Sequence, residues 1–149
     1  MNRLHIAFCV AFMSSLLSLG ACGMAPMGPT STALKARLSG ASEVPAVMTD
    51  ASGIVEASLS SGTNVLTWKI TYSGLTGPAT GAHFHGPAMA GQNAAVVVPI
   101  AAPLASPISG SATLTPAQAA DLSAGKWYVN LHTAANPNGE VRGQVGVGL

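Results

Sequence analysis

An all-β fold, an antiparallel sandwich or barrel of about seven short strands, is predicted by three features of the sequence. From Leu34 onward, apolar and polar residues alternate with a period of two in short runs. Glycine and proline separate these runs. Only one segment, near residues 115–125, carries the start and stop signals of a helix.

A period of two means strand, because successive side chains point to opposite faces and one face can be buried while the other stays wet. Leu34, Ala36 and Leu38 alternate with Lys35 and Arg37. Val55, Ala57 and Leu59 alternate with Glu56 and Ser58, and Leu66, Trp68, Ile70 and Tyr72 with Thr67, Lys69 and Thr71. Further strands are expected at residues 94–100, 108–114, 126–132 and 140–147. In the helix, Thr115 is the cap, and Pro116 sits in the first turn, where its missing N–H costs nothing. Gln118 completes a Thr-x-x-Gln capping box and Gly125 ends the helix. Asn136-Pro137-Asn138-Gly139 predicts a tight hairpin, with Asn-Gly supplying the positive φ angles.

The N-terminus predicts export. Asn2-Arg3 is a weakly basic start, residues 6–17 are apolar but too few to span a bilayer comfortably, and Leu19-Gly20-Ala21-Cys22 follows. That tetrad resembles a bacterial lipobox. The resemblance implies a signal peptide at residues 1–21, cleavage before Cys22, and lipidation of Cys22, so that the membrane is a partner through the lipid. Gly23, where an aspartate would favour the inner membrane, points to the outer membrane, facing the periplasm or the cell surface. An ordinary secretory signal with a chance cysteine is the alternative. Residues 22–33 then form the lipidated cysteine and a flexible Gly/Pro/Ser/Thr linker, and residues 34–149 a single domain. Cys9 leaves with the signal and Cys22 carries lipid, so no disulfide is available.

Composition excludes several function classes. The 6 Lys and Arg include Arg3, which leaves the mature domain balanced against 5 Asp and Glu. Nucleic-acid binding needs a cluster of basic charge, and none is present. There is no Gly-x-Ser-x-Gly elbow and no Gly-rich phosphate loop, so hydrolase, kinase and dinucleotide readings lack a foothold.

Chemistry concentrates on histidine. Of the 4 histidines, His83, His85 and His132 remain after maturation. His83 and His85 flank Phe84, and on a strand this spacing places both imidazoles on one side and Phe84 on the other. A third imidazole from another strand completes a facial nitrogen set suited to copper, with zinc the lesser choice. Along residues 126–132, Trp127, Val129 and Leu131 take the core side, and Tyr128, Asn130 and His132 the other. A solvated outer face is the commoner fate of such a polar stripe, and paired histidines are often polar edge residues that bind nothing.

Other marked residues have structural readings. Glu140 and Arg142 share a strand face, and with Glu43 they predict a hydrogen-bond or ion-pair cluster locking the last strand to the first loop. Met89 is a soft thioether near the histidines, but its plainer reading is an exposed or gap-filling loop residue. Trp68 and Trp127 are core residues before they are carbohydrate platforms.

Five segments in order, LSGASEVPAV, WKITYSGLTG, AHFHGPA, LTPAQAADLSAGKWYVNLHT and NPNGEVRGQV, together resemble the CHRD domain, from about Leu34 to Val145. The resemblance implies a Greek-key β-sandwich, immunoglobulin-like or superoxide-dismutase-like, with one short connecting helix. In chordin the domain belongs to an extracellular antagonist of growth-factor signalling, a role that bacterial copies lack the partner for. The family's His-x-His and later histidine correspond to His83, His85 and His132. A weaker resemblance links the His-x-His to copper-zinc superoxide dismutases, although the bridging histidine and the zinc ligands have no counterpart. Three functions follow as expectations: a lipid-anchored metal-binding module, an adhesion or interaction module without metal, and a copper-dependent redox enzyme. Metal binding without catalysis is favoured, and the sequence names no protein partner.

Overall fold

Each alternating run closes into a strand because its apolar face finds the same interior. The computed structural model describes residues 30–148. The signal segment, Cys22 and most of the linker lie outside the described residues. The strands are β1 (Ser31–Ser39), β2 (Ser52–Ser60), β3 (Val65–Ser73), β4 (Ala79–His85), β5 (Val96–Pro99), β6 (Ile108–Thr113), β7 (Trp127–Thr133) and β8 (Val141–Val147). Leu34, Ala36 and Leu38 of β1, Val55 and Leu59 of β2, and Leu66, Trp68 and Ile70 of β3 are buried, as the alternation requires.

All pairings are antiparallel, in the order β5-β4-β7-β8-β1-β2-β3-β6, so the eight strands form one sheet. The chain crosses in Greek-key fashion, β6 returning after β4 and β5 to lie beside β3, and β7 after β5 and β6 to lie beside β4. The sheet wraps until its two edge strands, β5 and β6, line the same cleft of about 580 Å³ beside Trp68. The result is a sandwich-like barrel that is nearly closed. Phe84 lies at its centre, with ring centroids 5.2 Å from Trp68 and 6.3 Å from Trp127.

Helix α1 (Pro116–Ser123) forms on the predicted signals. The Gln118 N–H donates to the Thr115 hydroxyl at 3.2 Å, and the Thr115 N–H donates to the Gln118 side-chain oxygen at 2.9 Å. Gly125 follows at φ +72°, the left-handed geometry that ends a helix cheaply only for glycine. Ala119 and Leu122 anchor the helix to the core. No helix among the described residues is long and apolar enough to cross a membrane.

Three expectations need correction. Strand β1 begins at Ser31, inside the segment read as linker, because Ser31–Ala33 pair by backbone with Ser58–Ser60 of β2 and need no apolar pattern to do so. Strand β4 is additional to the predicted set: its small residues Ala79, Gly81 and Ala82 blur the alternation. Residues 136–139 do turn, with the Gly139 N–H donating to the Asn136 carbonyl at 3.1 Å, but not as a tight Asn-Gly hairpin. Gly139 alone adopts positive φ, +124°, and the chain takes residues 134–140 to pass from β7 to β8.

Candidate metal centre

Register brings the histidines together. Strand β4 pairs with β7 so that Gly81 faces His132, His83 faces Asn130 and His85 faces Tyr128. These six positions share one side of the two strands, opposite the face that buries Phe84, Val129 and Leu131. His132 is thus diagonal to His83, a separation long side chains bridge. Gly81 leaves the space both rings use: a β-carbon there would lie 3.3 Å from the His83 ring and 3.4 Å from that of His132.

One ligand nitrogen from each of His83, His85 and His132 can be chosen so that all lie within 4.8 Å of one another. His83 Nδ1 is 3.0 Å from His132 Nε2. Two rings have their tautomer set by neighbours that can only accept: His85 Nδ1 donates to the Ala94 carbonyl and His132 Nδ1 to the Pro137 carbonyl, each at 3.0 Å. The neutral form of each ring therefore keeps its lone pair on Nε2. A carbonyl holding the far N–H of an imidazole is the arrangement that orients histidine ligands in metal sites.

Burial first, then the neighbouring histidines, holds His83 below the ordinary histidine pKa. For His132 burial again dominates, the Pro137 hydrogen bond opposes it and His85 reinforces it, with a net lowering. Neutral rings are the ligating form.

The sides of the site are built, not solvated. Tyr128 and Asn130 are buried, so the polar stripe of β7 is not an exposed outer face. The His85 ring stacks on Tyr128, with centroids 4.7 Å apart and planes 2° from parallel. On the other face of that tyrosine the Arg142 guanidinium lies 3.4 Å from the ring centroid. Arg142 also donates to Asn93 Oδ1 at 2.9 Å and to the Gln92 carbonyl, which ties the loop before β5 to β8. Through this His85–Tyr128–Arg142 stack, the last strand fixes the ring that β4 presents.

Asn130 occupies the middle. Its Oδ1 is 3.0 Å from His85 Nε2 and 3.0 Å from His132 Nε2. On its far side, over Gly139, its Nδ2 and Glu43 Oε1 approach the same point, which a β-carbon at Gly139 would strike. Glu43 Oε1 has no hydrogen-bond partner, and burial pushes this carboxyl up to about 7 against the pull of Arg142 and the Val44 N–H.

Glu140 forms the predicted lock, though without Arg142 or Glu43. One oxygen accepts from Thr49 Oγ1 at 3.0 Å and the Thr76 N–H at 2.9 Å, and the other from Thr76 Oγ1 and Thr133 Oγ1 at 2.7 Å each. It joins the start of β8 to the loops after β1 and β3. Arg142, two residues on, turns instead to Tyr128. Met89 is exposed, as its plainer reading held, and Trp127 is fully inside the core.

The model of the CHRD domain matches residues 34–145. The chain belongs to the CHRD domain family. Comparisons with curated proteins and with solved structures return no match. The match begins and ends where the sequence resemblance placed it, and it encloses every residue of the site. Within this CHRD domain, the residues that sequence reasoning left without a role are Asn130, Tyr128 and Gly81. The signal for the first two was present, since the alternation that turned His132 away from the core turned them the same way. Gly81 has no signal before the β4–β7 register is known.

Proposed function

We propose that this CHRD domain is an exported module, anchored to the outer membrane by lipid on Cys22, that binds a metal ion through His83, His85 and His132, with copper preferred to zinc. The observation that carries the reading is the convergence of three imidazole nitrogens from two strands within 4.8 Å. The donor set fits: three imidazoles, two of them held at Nδ1 by backbone carbonyls, match the preference of copper and zinc for nitrogen ligands. What a bound ion would supply is a fixed positive centre on the side of β4 and β7 that faces away from the core.

Binding rather than turnover is the activity proposed. A redox role would require the copper-loaded protein to turn over superoxide well beyond free copper. The test of the binding reading is metal content after equilibrium dialysis against Cu(II). The protein is expected to retain one ion per chain and His85→Ala to retain none; equal retention by both would remove the reading. For the anchor, radiolabelled palmitate should enter the intact protein and not Cys22→Ser, and label in neither would leave an unlipidated exported domain.

A further inference from the structure

We infer that Asn130 is a fourth, oxygen ligand of the histidine site, and that the site therefore selects an oxidised divalent ion, Cu(II) or Zn(II), over Cu(I). This rests on the metal-binding reading above and gives it an ion class.

The geometry at Asn130 carries the argument. Its Oδ1 stands 3.0 Å from two imidazole nitrogens whose rings have already committed their Nδ1 protons to the Ala94 and Pro137 carbonyls. Each neutral ring then turns a lone pair, not an N–H, toward the amide oxygen. The one proton within reach is that of His83 Nδ1, 3.0 Å from His132 Nε2; the amide oxygen still faces ring lone pairs at both 3.0 Å contacts, and a cation at their centre turns that repulsion into coordination. Reversing the amide would give the rings an NH₂ group and turn the amide oxygen to the Gly139 side, where Glu43 Oε1 lies without a hydrogen-bond partner. In the structure Oδ1 is the amide atom turned toward the histidines.

Spacing agrees. Adjacent ligands at roughly 2.0–2.2 Å from a metal lie roughly 2.8–3.6 Å from one another across octahedral and tetrahedral geometry. The Asn130–His85, Asn130–His132 and His83–His132 separations are each 3.0 Å. Asn130 is also the direct cross-strand partner of the third histidine, His83. An amide oxygen is a hard donor, which suits Cu(II) and Zn(II). Cu(I) favours soft sulfur and low coordination, and gains nothing from it.

The experiment is competitive titration of Zn(II), Cu(II) and Cu(I) into the full-length chain as its host processes it, without tag histidines. Wild type is compared with Asn130→Ala, Asn130→Asp and His132→Ala, each checked for a cooperative thermal transition in the apo state. Asn130→Ala is expected to weaken Zn(II) and Cu(II) at least about 10-fold and leave Cu(I) within about 2-fold. Asn130→Asp, which keeps an oxygen at that position, is expected to restore the divalent ions, while His132→Ala weakens all three. If Asn130→Ala weakens all three ions equally, the residue only positions the rings. If it weakens none, it is a bystander. Either result overturns the oxygen-ligand assignment and leaves the histidine site standing. No binding by wild type would overturn both.

Discussion

Two glutamates of this chain are both removed from solvent, Glu140 at 0% exposure and Glu43 at 7%, yet they titrate in opposite directions. Burial opposes the charge at Glu140 too, but hydrogen bonds from Thr133, Thr76 and Thr49 outweigh it and bring the carboxyl down to about 2. Glu43 has burial working against its charge, too little help from Arg142, and one oxygen without a donor, and it rises to about 7. The difference teaches that donors, not depth, decide what a buried carboxylate contributes. One end of the β7–β8 connection is a satisfied lock. The flank beside Asn130 and the histidines keeps an unsatisfied acceptor, a local cost of the kind that stable domains tolerate near functional groups.

The largest effect that could break this contrast lies at Glu140. Its folded pKa is below the ordinary 4.5, so its stabilisation is fully present above pH 4.5 and is lost as pH falls toward about 2. Glu140→Gln leaves buried hydroxyls without a charged acceptor and is expected to cost about 3 kcal/mol in urea unfolding at pH 7. That penalty should shrink as pH drops below 4.5. A neutral effect at pH 7 would dissolve the comparison.

Glu43 should behave with the opposite sign. Its folded pKa lies above 4.5, so its contribution is complete below pH 4.5 and is lost as pH rises through about 7. Glu43→Gln removes the buried charge and is expected to stabilise the domain by about 1–2 kcal/mol at pH 8, with the gain vanishing near pH 4.5. Chemical denaturation at the two pH values measures it. Loss of stability at pH 8 would mean that the carboxylate pairs productively with Arg142.

A smaller effect separates the histidine site from both carboxylates. The folded pKa values of His83 and His132 lie below 6.5, so the unfolded chain takes up protons first as pH falls. The stability of the metal-free protein should therefore decline as pH drops from 6.5 toward those lowered values, and bound metal should persist below pH 6.5 before release. Metal retention measured from pH 8 to 4 tests this. Release complete by pH 6.5 would show that the rings are not shielded as described.

The strands and the capped helix were legible because their signals are local: alternation for Leu34 to Leu38 or Leu66 to Ile70, and the Thr115, Pro116, Gln118 and Gly125 sequence for α1. Strand β4 was not, since Ala79, Gly81 and Ala82 give it little hydrophobic contrast. Ser31–Ala33 escaped because backbone pairing with β2 holds them. At the site, the faces of His83, His85 and His132 could be read from the period of two. Their meeting could not, because it depends on Gly81 facing His132 rather than a residue one step away. The burial of Tyr128 was equally hidden, being imposed by Arg142 from β8 and by Ala94 in the loop before β5; that of Asn130 comes from the rings of His85 and His132.

The claim that the three imidazoles form a metal site is tested most directly by calorimetric titration of Cu(II) and Zn(II) into the tag-free protein and a His83→Ala/His85→Ala variant. One copper ion per chain, bound more tightly than about 1 μM and absent from the variant, is the expected result. Identical weak isotherms for the two proteins would contradict it.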